Sequence, residues 1–271
     1  MKFDEIADGV FLLAHPVFKV NCVLVTGADR AMLIDTLSTD EQARSLRDAA
    51  ASVTAKPLTL VNTHFHFDHT FGNQTLAQGD IWGHPDCARE LTERGEHWKR
   101  VWQDEIEDQE LALAVGAVTI VPPNRLVDKQ ASVDLGGRTA FISHHGRGHT
   151  DGDIVVRVDD VLIAGDLVEQ GAPPAFDDAY PLEWPDTLTA LMHTPARIVV
   201  PGHGKPVDMA FVEQQHADLT RLDWLIRDGH RDAAPTERVA AASPFVQAFG
   251  EDGLYQSLLA VKRGYAQLDG A

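Results

Sequence analysis

Residues 64–69 of the chain read HFHFDH. With 13 histidines among 271 residues, chance would produce this spacing of histidines and aspartate in roughly three such chains in a thousand. On an extended loop His64 and His66 point to the same side and can bind one cation, whereas Asp68 and His69 can turn towards a second. The spacing therefore predicts a site for two metal ions.

The stretch LTLVNT, residues 58–63, runs directly into this motif and is rich in apolar and β-branched residues. Such a run predicts a buried strand. The motif then lies on the loop at the carboxyl end of a strand, where α/β proteins usually build their sites.

Three further candidate ligands follow in order, each beside glycine. They are His149 in GRGHTDGD, Asp166 in LIAGDL and His203 in VPGHG. Glycine lets the backbone approach a site closely because it has no side chain. Taken alone, His149 would more often be a structural residue and Asp166 a turn residue. Their order along the chain favours ligands.

The rest of the chain alternates strand and helix patterns, which predicts an α/β protein. A helix is expected over about 39–53, a helical excursion over about 85–116 and a mostly helical C-terminal segment over about 207–271. No Pro/Gly/Ser-rich linker separates that segment, so we predict a single domain over residues 1–271. The predicted strands are VFLLAH, NCVLVTG, AMLIDT, LTLVNT, NRLVD, RTAFISHH, DIVVRV, DVLIAGD and RIVVPGHG.

Two hairpins repeat one pattern: GADRAMLIDT and VDDVLIAGD both lead into an apolar strand that ends in an aspartate. This echo suggests two similar halves.

Composition argues against several partners. Against 23 Lys and Arg stand 41 Asp and Glu, a net charge of -18 that repels nucleic acid and anionic membranes. No apolar run approaches the roughly 20 residues of a membrane span. The start of the chain lacks a basic, then apolar, secretory pattern, and Cys22 and Cys87 are too few for a disulfide framework. We therefore expect a cytoplasmic protein that acts on a small molecule.

The ordered set HFHFDH, GHT, GD and GHG resembles the metallo-β-lactamase superfamily over about residues 9–206. The resemblance implies a four-layer αββα sandwich, here with extra C-terminal helices. It implies that Asp166 bridges two metal ions and that Asp35 receives an imidazole N–H from behind the ligands. The other implied ligands are His64, His66 and His149 for the first metal and Asp68, His69 and His203 for the second.

This resemblance implies a metal-dependent hydrolase. A hydroxide shared by two ions, expected to be zinc, would attack an ester, thioester, lactone or amide bond in a small molecule. Asp68 would orient the nucleophile and accept its proton. Histidine and aspartate ligands also accept iron or manganese. The physiological substrate and the oligomeric state stay open on sequence alone.

Subfamily features point in different directions. Asp166 favours a site of the glyoxalase II and lactonase type, but the C-terminal segment offers little beyond Lys262 and Arg263 to bind glutathione. Tyr180 and Trp184 are expected near the mouth of the site. Trp98 and Trp102 are expected mainly as core anchors, with a place in a pocket wall as the alternative.

Two alternatives to the hydrolase stay open. One is a mononuclear iron persulfide dioxygenase, against which the complete second set of ligands argues. The other is a non-catalytic binding module stabilised by metal, in which no coordination position would be open to water.

Overall fold

Two β-sheets pack face to face in the centre of the molecule. The computed structural model describes residues 1–270. Alternate residues of the strands point between the sheets, and Val23 and Ile34 of the first sheet meet Ile142 and Val156 of the second in one buried cluster. This period-two pattern of apolar residues makes the sheets stack, because each must cover one apolar face.

The first sheet has seven strands in chain order. Strands β1 to β4 are antiparallel neighbours joined by short turns, whereas β4 to β7 run parallel and need longer crossovers. Its strands are β1 (Asp4–Ala7), β2 (Val10–Ala14), β3 (Asn21–Thr26), β4 (Ala31–Ile34), β5 (Leu58–Val61), β6 (Ile81–Gly83) and β7 (Arg125–Leu126).

The second sheet has five strands in the order β12-β11-β10-β9-β8. Strands β8 to β11 are antiparallel, and β12 lies parallel to β11. Its strands are β8 (Gln130–Asp134), β9 (Thr139–His144), β10 (Ile154–Val158), β11 (Val161–Glu169) and β12 (Ile198–His203).

Helices cover both outer faces of the paired sheets. Leu46 of the first helix packs against Leu33 of the first sheet, and Leu219 packs with Trp184 on the outside of the second. The predicted four-layer αββα sandwich with extra C-terminal helices is therefore confirmed. The helices are α1 (Asp40–Val53), α2 (Phe67–Thr70), α3 (Asn73–Leu76), α4 (Pro85–Arg89), α5 (Gly95–Glu105), α6 (Gln109–Gly116), α7 (Trp184–Leu191), α8 (Met209–Arg231), α9 (Thr236–Ala240) and α10 (Pro244–Asp269).

The helix expected over about 39–53 begins and ends close to its predicted bounds. The side chain of Thr39 caps α1 by accepting a hydrogen bond from the backbone N–H of Gln42 at 3.2 Å. The excursion over about 85–116 consists of α4, a π-helical turn at Glu90–Arg94, α5 and α6. None of the helices in residues 1–270 has the length and apolar character needed to cross a bilayer.

Three strands were not predicted from the sequence: β1, β6 and β8. The strand β6 has only three residues, and at least half of the residues of β1 and β8, DEIA and QASVD, are polar. Pairing with neighbouring strands outweighs this weak local preference, at the sheet edges for β1 and β8 and inside the first sheet for β6.

Leu33→Ala should lower the free energy of unfolding by about 2–5 kcal/mol, because it removes a fully buried side chain between β4 and α1. Urea unfolding followed by circular dichroism measures this loss. Leu113→Ala is the matched control, since Leu113 is 70% exposed and its truncation should have little effect. Equal losses in the two variants would contradict this account of the core.

Candidate metal centre

The motif HFHFDH lies where β5 ends. His64 and His66 lie on the loop that follows β5, and Asp68 and His69 lie on the single turn of α2. The turn places the last two side chains beside the first two. All but His66 are buried.

The second sheet supplies the other predicted ligands. Asp166 lies on β11 and His203 ends β12, and because these neighbours are parallel, both residues lie at the same end of the sheet. His149 lies on the loop between β9 and β10. Since the first sheet presents its motif at the same end, the two sheets meet there around one cluster.

The structure brings all seven predicted ligands together, in two groups. Within each group the potential ligand atoms lie within 4.8 Å of one another. Asp166 contacts both: its Oδ2 lies 3.5 Å from His149 Nε2 and 3.2 Å from His203 Nε2. The groups are His64, His66, His149 and Asp166, and Asp68, His69 and His203.

Each histidine has an inner ring nitrogen facing the cluster and an outer one facing away from it, and most outer nitrogens are held by oxygen. His69 Nδ1 donates to Asp35 Oδ2 at 2.8 Å, and His203 Nδ1 donates to the carbonyl of Phe18 at 2.7 Å. His66 Nε2 lies 3.1 Å from Asp178 Oδ2. An outer N–H held in this way leaves the inner lone pair free to bind a cation.

Asp35 also sets the orientation of His64. Thr63 donates its backbone N–H and its hydroxyl to the Asp35 carboxylate, both at 2.8 Å. The hydroxyl hydrogen is thereby used, so His64 Nδ1, 3.0 Å from Thr63 Oγ1, is the donor in that pair. Asp35 thus lies behind the cluster, in the position that the resemblance implies.

The acids give the cluster a strong preference for positive charge. Burial opposes protonation of His69 and His203, but Asp166 and Asp68 outweigh it, so the pKa of His69 lies well above the usual range and that of His203 rises to about 10. Burial likewise opposes protonation of His66, yet Asp178 raises its pKa to about 9. The potential that attracts protons here also favours a metal cation.

The remaining two rings favour the neutral form. Burial lowers the pKa of His64 well below its usual range, and burial lowers that of His149 to about 4. Nε2 of His64 is buried and has no hydrogen-bond partner within residues 1–270. A neutral imidazole whose inner nitrogen is buried and unpaired can bind a metal ion directly. A set of histidine and aspartate donors suits zinc. The residues therefore fit the group of ions that the sequence predicts.

A cavity of about 560 Å³ opens over the cluster. Phe18, Phe67, Trp98 and Trp102 line one side, with the two indoles stacked at 5.7 Å between ring centroids. The expectation that both tryptophans act mainly as core anchors is thus incomplete, because they pack against Phe65 and also face the cavity. The helical excursion supplies the two indoles of this apolar wall.

Trp184 is not at the mouth of the site, and that prediction is wrong. Its side chain is fully buried, donates to the carbonyl of Leu167 at 3.2 Å and lies behind His149, 5.8 Å between ring centroids. The prediction for Tyr180 is also wrong, because this residue lines a smaller pocket beside the cavity, under the guanidinium of Arg147. Tyr180 lies in a segment without helix or strand and Trp184 directly follows it, and the sequence pattern does not reveal the path of that segment.

The sequence did not predict two acidic residues that lie near the cluster. Asp178 holds the outer nitrogen of His66, and Glu169 is buried in the cavity wall, its Oε1 3.8 Å from His149 Nδ1. Burial and the neighbouring Asp166 raise the pKa of Glu169 to about 8, whereas His66 outweighs burial and lowers that of Asp178. Neither belongs to a spaced motif, so no periodic signal marks them.

Residues 15–203 match a family model described as the metallo-beta-lactamase superfamily. Curated relatives include the acyl-coenzyme A thioesterase MBLAC2 of Bos taurus, 29% identical, and of Homo sapiens, 27% identical, each over 192 residues. Each alignment covers 62% of this chain and 66% of the relative, just under two thirds of that protein.

Solved structures share the fold. A metallo-beta-lactamase from Pontibacter korlensis aligns with TM-score 0.66 and 19% identity over 81% of this chain and 98% of that one. The metallo-beta-lactamase FIM-1 from Pseudomonas aeruginosa, in its mono-zinc form, aligns with TM-score 0.63 and 19% identity over 82% and 96%.

Gly202→Ala should weaken metal binding, because the added methyl would overlap the Asp166 carboxylate. Zinc titration of the folded variant should show affinity reduced by roughly tenfold or more. Gly79→Ala is the control, since nothing lies within 4 Å of a methyl there. Undiminished zinc binding by Gly202→Ala would show that Asp166 does not hold metal.

Proposed function

Since this chain belongs to the metallo-β-lactamase superfamily, we propose that it is a dinuclear zinc hydrolase that cleaves the thioester bond of a small acyl thioester. The observation that carries the proposal is the convergence of seven ligand side chains beneath an apolar cavity. The names of the curated relatives favour the thioester among the acyl bonds that such a site can attack.

His64, His66 and His149 would hold one ion and Asp68, His69 and His203 the other, with Asp166 shared between them. When bound, the two ions would lower the pKa of a shared water towards neutrality and polarise the substrate carbonyl. The cluster lies beneath an open cavity, so water and substrate would reach the ions, whereas a closed structural site leaves no position open to water.

Asp68 is the residue we assign to proton transfer. Its carboxylate lines the cavity, and its Oδ2 lies 3.5 Å from His203 Nε2 and 3.7 Å from His69 Nε2. A carboxylate at the floor of the cavity can orient the attacking water through one oxygen and accept its proton. The proton can then pass to the departing thiolate.

The cavity also suggests how the substrate lies. An acyl chain would pack against Phe67, Trp98 and Trp102, which bury apolar area most effectively. Lys19 is the only lysine or arginine among the described residues that line the cavity, so the thiol half of the substrate would lie towards it. The thioester carbonyl then lies over the cluster.

Zinc content and turnover test the proposal together. The purified chain should contain two zinc ions, hydrolyse acyl thioesters, lose this activity to a chelator and regain it with zinc. Asp68→Asn should retain the fold but lower kcat by roughly 100-fold or more. A panel of esters, lactones and amides measures the preference for thioesters.

Other results of the same assays would contradict the proposal. One bound iron with oxygen uptake on a persulfide would identify a dioxygenase. Bound metal without turnover of any substrate in the panel would identify a binding module.

Trp102→Ala should weaken turnover of long acyl chains selectively. Loss of about 1–2 kcal/mol of apolar contact corresponds to a roughly 5- to 30-fold lower kcat/KM for a long-chain thioester. An acetyl thioester should be affected much less, because it does not reach the indole. Trp224→Ala is the control, since Trp224 is half exposed on α8 and stacks with Arg221. Equal losses for short and long chains would refute an acyl site on this wall.

A further inference from the structure

Arg263, on the C-terminal helix α10, donates hydrogen bonds to three consecutive backbone carbonyls. Its Nε donates to Ala179 O at 2.5 Å, Nη2 to Asp178 O at 2.7 Å and Nη1 to Asp177 O at 3.0 Å. The planar guanidinium has fixed donors, so three such bonds define both the position and the orientation of this short stretch.

A second residue of α10 supports the same stretch. Gln256 lies seven residues before Arg263 and therefore on the same face of the helix. Its Oε1 accepts the backbone N–H of Phe176 at 2.7 Å. Together the two side chains hold residues 176–179, which lie in a segment, 170–183, without helix or strand.

This stretch carries Asp178 to His66. Both carboxylate oxygens of Asp178 lie close to His66 Nε2, at 3.1 and 3.2 Å. The contact turns Nδ1 of His66 inwards, where it lies 3.0 Å from His149 Nε2 in the first metal group. Because the segment has no regular structure, its contacts with α10 help to determine where the carboxylate lies.

We propose that Arg263 is a positioning residue for the metal centre, acting through Asp178 on His66. The inference rests on the proposed function in one respect, that the cluster binds metal ions. Helix α10 lies beyond the residues matched by the family model. Helix α10 therefore supports the metal site as well as the core, although it contributes no ligand.

Zinc titration of the metal-stripped full-length chain tests the inference. Arg263→Met and Asp178→Asn should each weaken one of the two zinc-binding steps by roughly 10- to 100-fold, the usual effect of removing a partner of a ligand. The double variant should be no weaker than Asp178→Asn alone, because both changes break the same chain of contacts. Additive losses, or unchanged zinc affinity in Arg263→Met, would overturn the proposal.

Two further variants test whether the loss of zinc affinity in Arg263→Met comes only from a general effect on folding. Lys262→Met removes the neighbouring, exposed charge of α10 and should leave zinc affinity unchanged. Arg263→Lys keeps the charge but cannot reach all three carbonyls, so its affinity should lie between those of the wild type and Arg263→Met. A loss in Lys262→Met as large as in Arg263→Met would overturn the proposal.

A readout without metal separates this inference from the proposed function. In protein with 15N-labelled histidine rings, the Nε2–H of His66 should exchange slowly with water, and in Arg263→Met and Asp178→Asn it should exchange fast. Slow exchange in Arg263→Met would overturn the positioning role whatever the catalytic activity. A wild type that binds zinc but cleaves no thioester would refute the proposed function and leave the role of Arg263 standing.

Discussion

The pairing of a buried carboxylate with histidine rings is the interaction on which this molecule depends. Asp166 lies inside the protein, where an uncompensated anion would cost several kcal/mol. His203 and His69 offset that cost and hold the pKa of Asp166 well below its usual range against the effect of burial. The histidine rings around Asp166 are fixed by hydrogen bonds to their outer nitrogens or by packing. The groups that fix them explain why so many residues around the cluster are polar and yet buried.

Each of the two sheets places an aspartate next to histidine rings after a hairpin. In the first, the hairpin β3-β4 leads to Asp35, and in the second, the hairpin β10-β11 leads to Asp166. The echo noticed in the sequence thus corresponds to two aspartates at the same end of the two sheets. They differ in use, because Asp35 receives an N–H behind the cluster whereas Asp166 faces its centre.

Around this rigid base, irregular and helical segments shape the chemistry. The helical excursion brings Trp98 and Trp102 over the cavity, and the segment after β11 brings Asp178 against His66. Close backbone approach at Gly202, where a methyl would overlap Asp166, lets β11 and β12 hold their ligands side by side. We infer that the sandwich sets the positions of the ligand side chains, whereas these outer segments shape the cavity above them.

Strand and helix periodicity predicted an α/β protein, and the spaced motif HFHFDH with the order of His149, Asp166 and His203 predicted the residues that converge. The αββα architecture and the family followed from the resemblance of this ordered set to the metallo-β-lactamase superfamily. The cytoplasmic location and the single-domain organisation stay predictions. The sequence did not predict where Trp184, Tyr180 and Asp178 lie. It also did not predict the hydrogen bonds of Arg263 or how the apolar wall of the cavity is assembled. Those features depend on contacts between segments far apart in sequence, with no period or spacing to mark them, so only the packed molecule specifies them.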